Sequence, residues 1–262
     1  MYSKLLQLGS ELSSSRDVLY QLITQQLILR YRRTALGYLW TLVSPLLMMS
    51  IMAVVFSGLF KTDLKDFAIF LFAGMIPWTF FNAVVTQSGP AFIANEGLIK
   101  KIYIPKIIFP LSVACALLID SMLSFVALFV IILSLGGSLS GPVFFMPVAF
   151  FLLFVFSFGI GLVMSVATIF FRDLQHVISI IMQGLFFLSP VLYKQSALSG
   201  SIGWITELNP IIPFLEMFRA LLYQAQLPPT EVLIRASILA VVSLAVGLII
   251  FLRQEKKIVF RL

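Results

Sequence analysis

Six stretches of this chain are long and apolar enough to cross a hydrocarbon layer, and no other feature narrows the possible folds so far. They run roughly over Leu36–Phe60, Phe67–Gln87, Ile107–Leu135, Pro142–Phe171, Leu174–Tyr193 and Val232–Leu252. A bilayer core about 30 Å thick takes roughly 20 residues of helix. Lipid offers no partner to an open backbone group, so such runs must close their hydrogen bonds internally, as helices. The expectation is an all-α integral membrane protein, one transmembrane domain over residues 1–262. A soluble domain carries about 25% charged residues; here the share is 11%, with a mean hydropathy of +1.07. A soluble globular fold is excluded.

Local signals refine the six runs. Pro45 and Pro77 lie inside the first two and should kink them, which helices embedded among neighbours tolerate. Ser157, Gly161 and Ser165 form a row of small residues suited to close helix packing. The Gly159-Ile160-Gly161 doublet beside them belongs to a buried helix and is no phosphate loop. Only Arg172 and Asp173 separate the fourth run from the fifth, so the turn is tight and Asp173 is placed to cap the next helix. Ahead of the first run, residues Ser13 to Arg33 repeat apolar positions at helical spacing with glutamines and arginines on other faces. That pattern predicts a surface helix, capped near Ser13–Ser15 and too polar to span. The first thirty residues also lack the compact apolar core of a cleavable signal.

Basic residues set the orientation. Thirteen of the 18 lysines and arginines fall in the first thirty-three residues, at Lys100, Lys101, Lys106 and Arg172, and in the last ten. The other five, Lys61, Lys65, Lys194, Arg219 and Arg235, share their side with five acids. Both termini are therefore expected in the cytoplasm and the far surface near neutral. The net charge of +7 then marks topology and attraction to anionic membrane lipids, with no nucleic-acid partner implied.

Two polar stretches break the apolar pattern. Gly89–Lys106, GPAFIANEGLIKKIYIPK, is expected to be an amphipathic cytoplasmic helix. Ala91, Ala94, Leu98 and Ile102 form its apolar stripe, Glu96 and Lys100 its i,i+4 pair, and Gly89-Pro90 and Pro105 its boundaries. An ordinary loop with topology-setting lysines is the plainer reading. Lys194–Glu231 carries Trp204, Phe214, Phe218 and Tyr223 among several prolines. It reads as one or two re-entrant half-helices forming an outer gate.

The runs RYRRTALGYLW (Arg30–Trp40), NEGLIKKIYIPK (Asn95–Lys106) and FRDLQH (Phe171–His176), in this order, resemble the permease subunit of type-2 ABC transporters. The branch they look most like is the polysaccharide exporters of O-antigen and teichoic acid (Wzm and TagG type). The resemblance covers essentially the whole chain. It implies a homodimer in the bacterial inner membrane, bound to two copies of a cytoplasmic ABC ATPase that holds the ATP and Mg. Gly89–Lys106 would be the coupling helix, with Asn95, Glu96, Leu98, Ile99 and Lys100 touching the ATPase. Ser13–Arg33 would be the interface helix, and Leu36-Gly37 the turn where a lipid headgroup enters. The cargo implied is a lipid-linked polysaccharide on undecaprenyl diphosphate, most readily O-antigen, with teichoic acid or capsule as alternatives. The chain itself has no GxxxxGK[ST] loop, so it is expected to be a transport subunit, not an enzyme, with no cofactor of its own.

Several residues carry more than one reading. Arg30, Arg32 and Arg33 sit at headgroup depth, where guanidinium groups bind phosphate; equally, they anchor topology. Asp120 is the acid deep inside a span, where a charge costs about 2.5–3.5 kcal/mol on insertion scales, and a structural hydrogen bond explains it better than a proton relay. Trp78, Phe80, Phe81, Tyr193, Trp204 and Tyr223 offer faces for sugars, but aromatic side chains also fill membrane cores and interfaces. The lone His176 and Cys115 give no metal site. A secondary transporter would need more intramembrane charge or repeats. A membrane enzyme acting on lipid-linked sugars would need an acid or metal cluster, and Asp63 with Asp66 stands alone.

Overall fold

The computed structural model describes residues 9–30, 36–134, 141–194 and 208–262, and every regular element among them is helical. In chain order these are α1 (Arg16–Arg30), α2 (Trp40–Phe60), α3 (Leu64–Ser88), α4 (Ala91–Ala94), α5 (Glu96–Lys101), α6 (Ile108–Ser134), α7 (Met146–Phe170), α8 (Leu174–Leu188), α9 (Ile212–Leu222) and α10 (Thr230–Arg261). Among the described residues, five helices are long and apolar enough to cross a membrane: α2, α3, α6, α7 and α10.

The fifth apolar run differs from expectation. Its helix, α8, has 15 residues and at 1.5 Å per residue reaches only about 22 Å. The cause is Pro190, which cannot continue a helix and disfavours helical backbone at the residue before it. Ser189 turns to extended φ and ψ while its N–H still bonds the Leu185 carbonyl. The last apolar residues of the run therefore belong to a turn. At the other end the final helix is longer than its apolar core, 32 residues, carrying Arg253 to Arg261 beyond the hydrophobic part.

Two helices show how differently apolar sequence is used. Most of α3 is buried, including Leu71, Ile76 and Val84, and it forms the centre of the bundle. On α2 the buried positions are Thr41, Met49, Ala53 and Ser57, a row at multiples of four residues facing α3. The rest of α2 presents apolar side chains outward, as a lipid-facing or chain-facing helix does. Pro45 and Pro77 sit within α2 and α3, which both run on through them.

The tightest packing is between α7 and α10, where Gly159 and Gly247 meet backbone to backbone. A Cβ on either would overlap the main chain of the other helix, and Ser243 Oγ donates to the Phe156 carbonyl at 2.6 Å. The small-residue row on α7 faces differently. Gly161 lies against α3, where a Cβ would come within 2.7 Å of Ser88 Oγ, and Ser157 and Ser165 are fully buried. Close approach of this kind lets dispersion contacts substitute for a hydrophobic driving force that lipid does not supply.

Helix ends follow local chemistry in some places only. Asp63 caps α3, its carboxylate accepting from the N–H groups of Lys65 at 3.1 Å and Asp66 at 3.2 Å. Asp173 occupies the corresponding position before α8, but its side chain makes no capping bond. Nor do Ser13–Ser15 start the surface helix. Residues 9–14 are already helical, Ser14 Oγ bonds back to the Glu11 carbonyl, and Ser15 marks a joint before α1.

Candidate functional site

Polar groups concentrate at the two ends of α3, whose 25 residues span about 37 Å. Near its start lie Asp66, Lys194, Glu216, Arg219 and Tyr223. Near its end lie Gln87, Glu96 and α1, and the charge of Arg172 reaches Glu96 there.

At the Glu96 end, the Gly89–Lys106 segment is not one helix. It is two short ones, α4 and α5, broken at Asn95 (φ −113°, ψ 18°). Asparagine competes for backbone acceptors, and Asn95 Nδ2 donates to the Ala91 carbonyl at 2.8 Å. The break re-aims the apolar stripe. Ala91, Phe92 and Ile99 are buried, whereas Ala94 and Ile102, two members of the expected stripe, are exposed. Phe92 is the anchor, its ring 6.2 Å from Phe109 on α6 and 6.3 Å from Phe251 on α10. Sequence reasoning missed it because its partners come from distant helices.

Of the residues singled out as contacts, Glu96 is half-exposed and bonded to Lys100. Lys100 holds the Glu96 carboxyl below its ordinary value, first through that hydrogen bond and then through its charge. Leu98 is half-buried and Ile99 points inward. The exposed tip instead comprises Gly97, Lys100, Lys101, Ile102 and Tyr103, and Tyr103 is 90% exposed.

The surface helix α1 packs against α6, with Leu22 buried. Between α1, the end of α3 and Asn95 lies a cavity of about 370 Å³ lined by Leu22, Gln25, Gln26, Leu29, Gln87 and Asn95 among others. Arg32 and Arg33 lie outside the described residues, and of Arg30 only the backbone, at the end of α1, is described. Leu36 is exposed. Gly37 has φ +52° and opens a 3-10 turn to Leu39, a backbone state that glycine adopts without the Cβ penalty.

At the Asp66 end, α9 packs against α3, α10 and α7. Phe214 and Phe218, one turn apart, are fully buried. Phe214 stacks on Phe156 at 4.6 Å and Phe218 meets Phe150 edge-on at 5.0 Å, so both serve packing. At the C-terminal end of α9, Tyr223 Oη donates to Asp66 at 3.0 Å and its ring meets Phe70 edge-on at 5.4 Å. A cavity of about 360 Å³ opens beside them, lined by Phe60, Phe67, Phe70, Tyr193, Asp66 and Lys194 among others. Trp204 lies outside the described residues. Trp78, Phe80 and Phe81 are buried in the bundle, which leaves Tyr193 and Tyr223, of the aromatic residues proposed for sugars, at a cavity wall.

The residue that sequence reasoning placed among surface charges and the structure does not is Arg219. It is 7% exposed. Its Nη2 donates to the Val191 carbonyl at 2.9 Å, its guanidinium carbon lies 3.9 Å from the Phe70 ring centroid, and its Nε finds no partner among the described residues. Stacking on an aromatic face contributes up to about 2 kcal/mol when desolvated. Leaving a buried polar group unmatched costs about 1–3 kcal/mol. The one advance signal was an arginine among the mostly apolar residues of FLEMFRALL, three positions after Glu216.

Asp120 lies half-buried on α6, its carbonyl accepting from Ser124 Oγ at 2.9 Å.

A family model described as ABC-2 type transporter matches residues 18–223. An O-antigen export system permease protein RfbA from Myxococcus xanthus is 28% identical over 242 residues, 92% of this chain and 93% of the relative. An RfbA of the same description from Klebsiella pneumoniae is 30% identical over 207 residues, 78% and 80% of the two chains. The polysialic acid transport protein KpsM of Escherichia coli is 24% identical over 243 residues, 90% and 92% of the two chains.

Proposed function

The chain belongs to the ABC-2 type transporter family, and from that premise we propose that it is the permease of an ATP-driven exporter of lipid-linked polysaccharide. The observation that carries the reading is similarity along nearly the full length of both chains to a permease named for O-antigen export. O-antigen carried on undecaprenyl diphosphate is therefore the first substrate reading. Capsular polysaccharide is the second, favoured by the similarity to the polysialic acid transport protein, and teichoic acid the third.

The two ends of α3 receive distinct roles. The α4–α5 segment is the coupling element. Its anchor Phe92 touches α6 and α10, so force on the exposed tip reaches two spanning helices at once. An ATPase subunit, supplying ATP and Mg, would seat on Lys100, Lys101, Ile102 and Tyr103, with Asn95, Glu96, Leu98 and Ile99 shaping the segment from behind. The turn at Leu36-Gly37 and the arginines at Arg30, Arg32 and Arg33 are the proposed headgroup entry. The α9 region is the outer gate, with the Lys194–Glu231 segment around it. A second copy of this chain and a second ATPase complete the assembly. Exposed apolar side chains on α2 and α8, such as Ile51 and Ile180, suit a homodimer face as well as lipid.

The test is deletion of the chain in its host followed by lipid analysis. Undecaprenyl-linked glycan should accumulate on the cytoplasmic side, and the sugar composition names the polymer. Normal surface polysaccharide of every class after deletion overturns the proposal.

A further inference from the structure

The broken end of α8 and the packing of α9 meet at one side chain. Helix α8 stops at Leu188, and the turn through Ser189, Pro190 and Val191 leaves backbone groups without helical partners. Asn209, before α9, reaches back to this turn, its Nδ2 donating to Ser189 Oγ at 2.8 Å. Arg219, from the last turn of α9, supplies the Val191 carbonyl with a donor at 2.9 Å. The same guanidinium stacks on Phe70 of α3. On α3 it lies over Gly74, where a Cβ would come within 3.0 Å of Nη2 and 3.3 Å of the Val191 oxygen. A buried cation thus joins three segments, and the absence of a side chain at Gly74 is what admits it.

We infer that Arg219 is the positioning residue of the outer gate, a joint that holds α9 against α3 and the end of α8 and keeps the path closed until the spanning helices move. The inference rests on the gate reading of α9 given above. Three geometric features favour a joint over simple packing. The guanidinium forms no contact ion pair with a described carboxylate, so its direct contacts are one carbonyl and one ring, which a shift of α3 against α9 can release. Its Nε is already unpartnered, so the closed arrangement does not saturate it. Beside it lies a cavity of about 490 Å³ that also carries Glu216 and Gln224, whose side-chain oxygens offer the freed guanidinium acceptors nearby. Phe214 and Phe218, by contrast, have close ring contacts to α7 and offer no such alternative.

The test uses the whole transporter, permease with its ATPase, in sealed liposomes without ATP, and reads the leak of chloride with a trapped quenchable dye. Wild type should be tight. Arg219→Gln removes the charge and the stack and should leak roughly tenfold faster, the factor expected for losing one charge-assisted contact. Gly74→Ala, which leaves Arg219 in place but crowds it, should leak in the same direction, and Arg219→Lys should lie between wild type and Arg219→Gln. Phe70→Leu removes the stacking ring at similar volume and stands in if Arg219→Gln fails to assemble. Wild-type tightness in assembled Gly74→Ala and Phe70→Leu transporters overturns the inference. The leak is read whether or not the liposomes export glycan. Absent export by wild type with any polysaccharide would count against the proposed function, and the leak ratios would still decide the joint.

Discussion

Glu96 and Lys100 make the clearest case for how one residue pair behaves in this chain. They stand one turn apart on α5, and the lysine stabilises the ionised carboxylate by a hydrogen bond and by charge. Because the folded value is depressed, the pair contributes its full effect above the ordinary carboxylate value of 4.5. That effect is lost as pH falls through the folded value. Being exposed to solvent, the pair is a small stabiliser, and its use is to fix where Lys100 points. Carboxyl NMR of labelled glutamate in nanodiscs should show Glu96 titrating below 4.5, and Lys100→Gln should move that midpoint upward. An unmoved midpoint would mean that the lysine does not hold the acid. At the same scale, Arg219 shows what a residue read alone conceals. Its sequence neighbours mark it as an arginine on an amphipathic half-helix, whereas Phe70, Gly74 and Val191, which decide its environment, lie about 150 and about 30 positions away in a chain whose loop-closure only folding performs.

At the scale of elements, α4–α5 separates anchoring from presentation. Phe92 is buried between α6 and α10, while Tyr103, past the end of α5, faces solvent. Phe92→Ala should cost about 3–5 kcal/mol, as other large-to-small core changes do, and lower thermal stability in detergent. Tyr103→Ala should change stability by less than about 0.5 kcal/mol and reduce co-purification of the ATPase. Full retention of the ATPase by Tyr103→Ala would remove the exposed tip as the docking surface. Helix existence was legible here from run length and periodicity, and so was the small-residue row of α7. The break at Asn95 was not, because an i,i+4 pair and flanking prolines favour one continuous helix equally well. Whether asparagine keeps its place in a helix depends on which carbonyl its amide finds. The buried side of the segment was misread for the same reason: a bend of the axis shifts which residues share a face.

For the whole molecule, the short α8 decides the topology. Five long apolar helices alone would leave the two termini on opposite sides of the membrane, whereas the expectation from the positive-inside count is that both face the cytoplasm. The conflict disappears if α8 crosses despite reaching only about 22 Å, some 8 Å short of the usual core. Its ends suit that role. Arg172 and His176 at the start can extend toward headgroups, and the turn after Leu188 is held inside protein by Asn209 and Arg219. Irregular backbone is tolerated at membrane depth only in such a setting. On this view α9, packed against the end of α8, helps to complete a truncated span, which would tie the proposed gate to the architecture of the bundle. Single cysteines introduced at Arg172 and at Lys194 should then react with an impermeant maleimide from opposite sides of intact cells. The Lys194 site should label from outside, and the Arg172 site only after the membrane is opened. Labelling of both from one side would make α8 re-entrant too, move the C-terminal arginines and lysines across the membrane, and break the positive-inside rule for this chain.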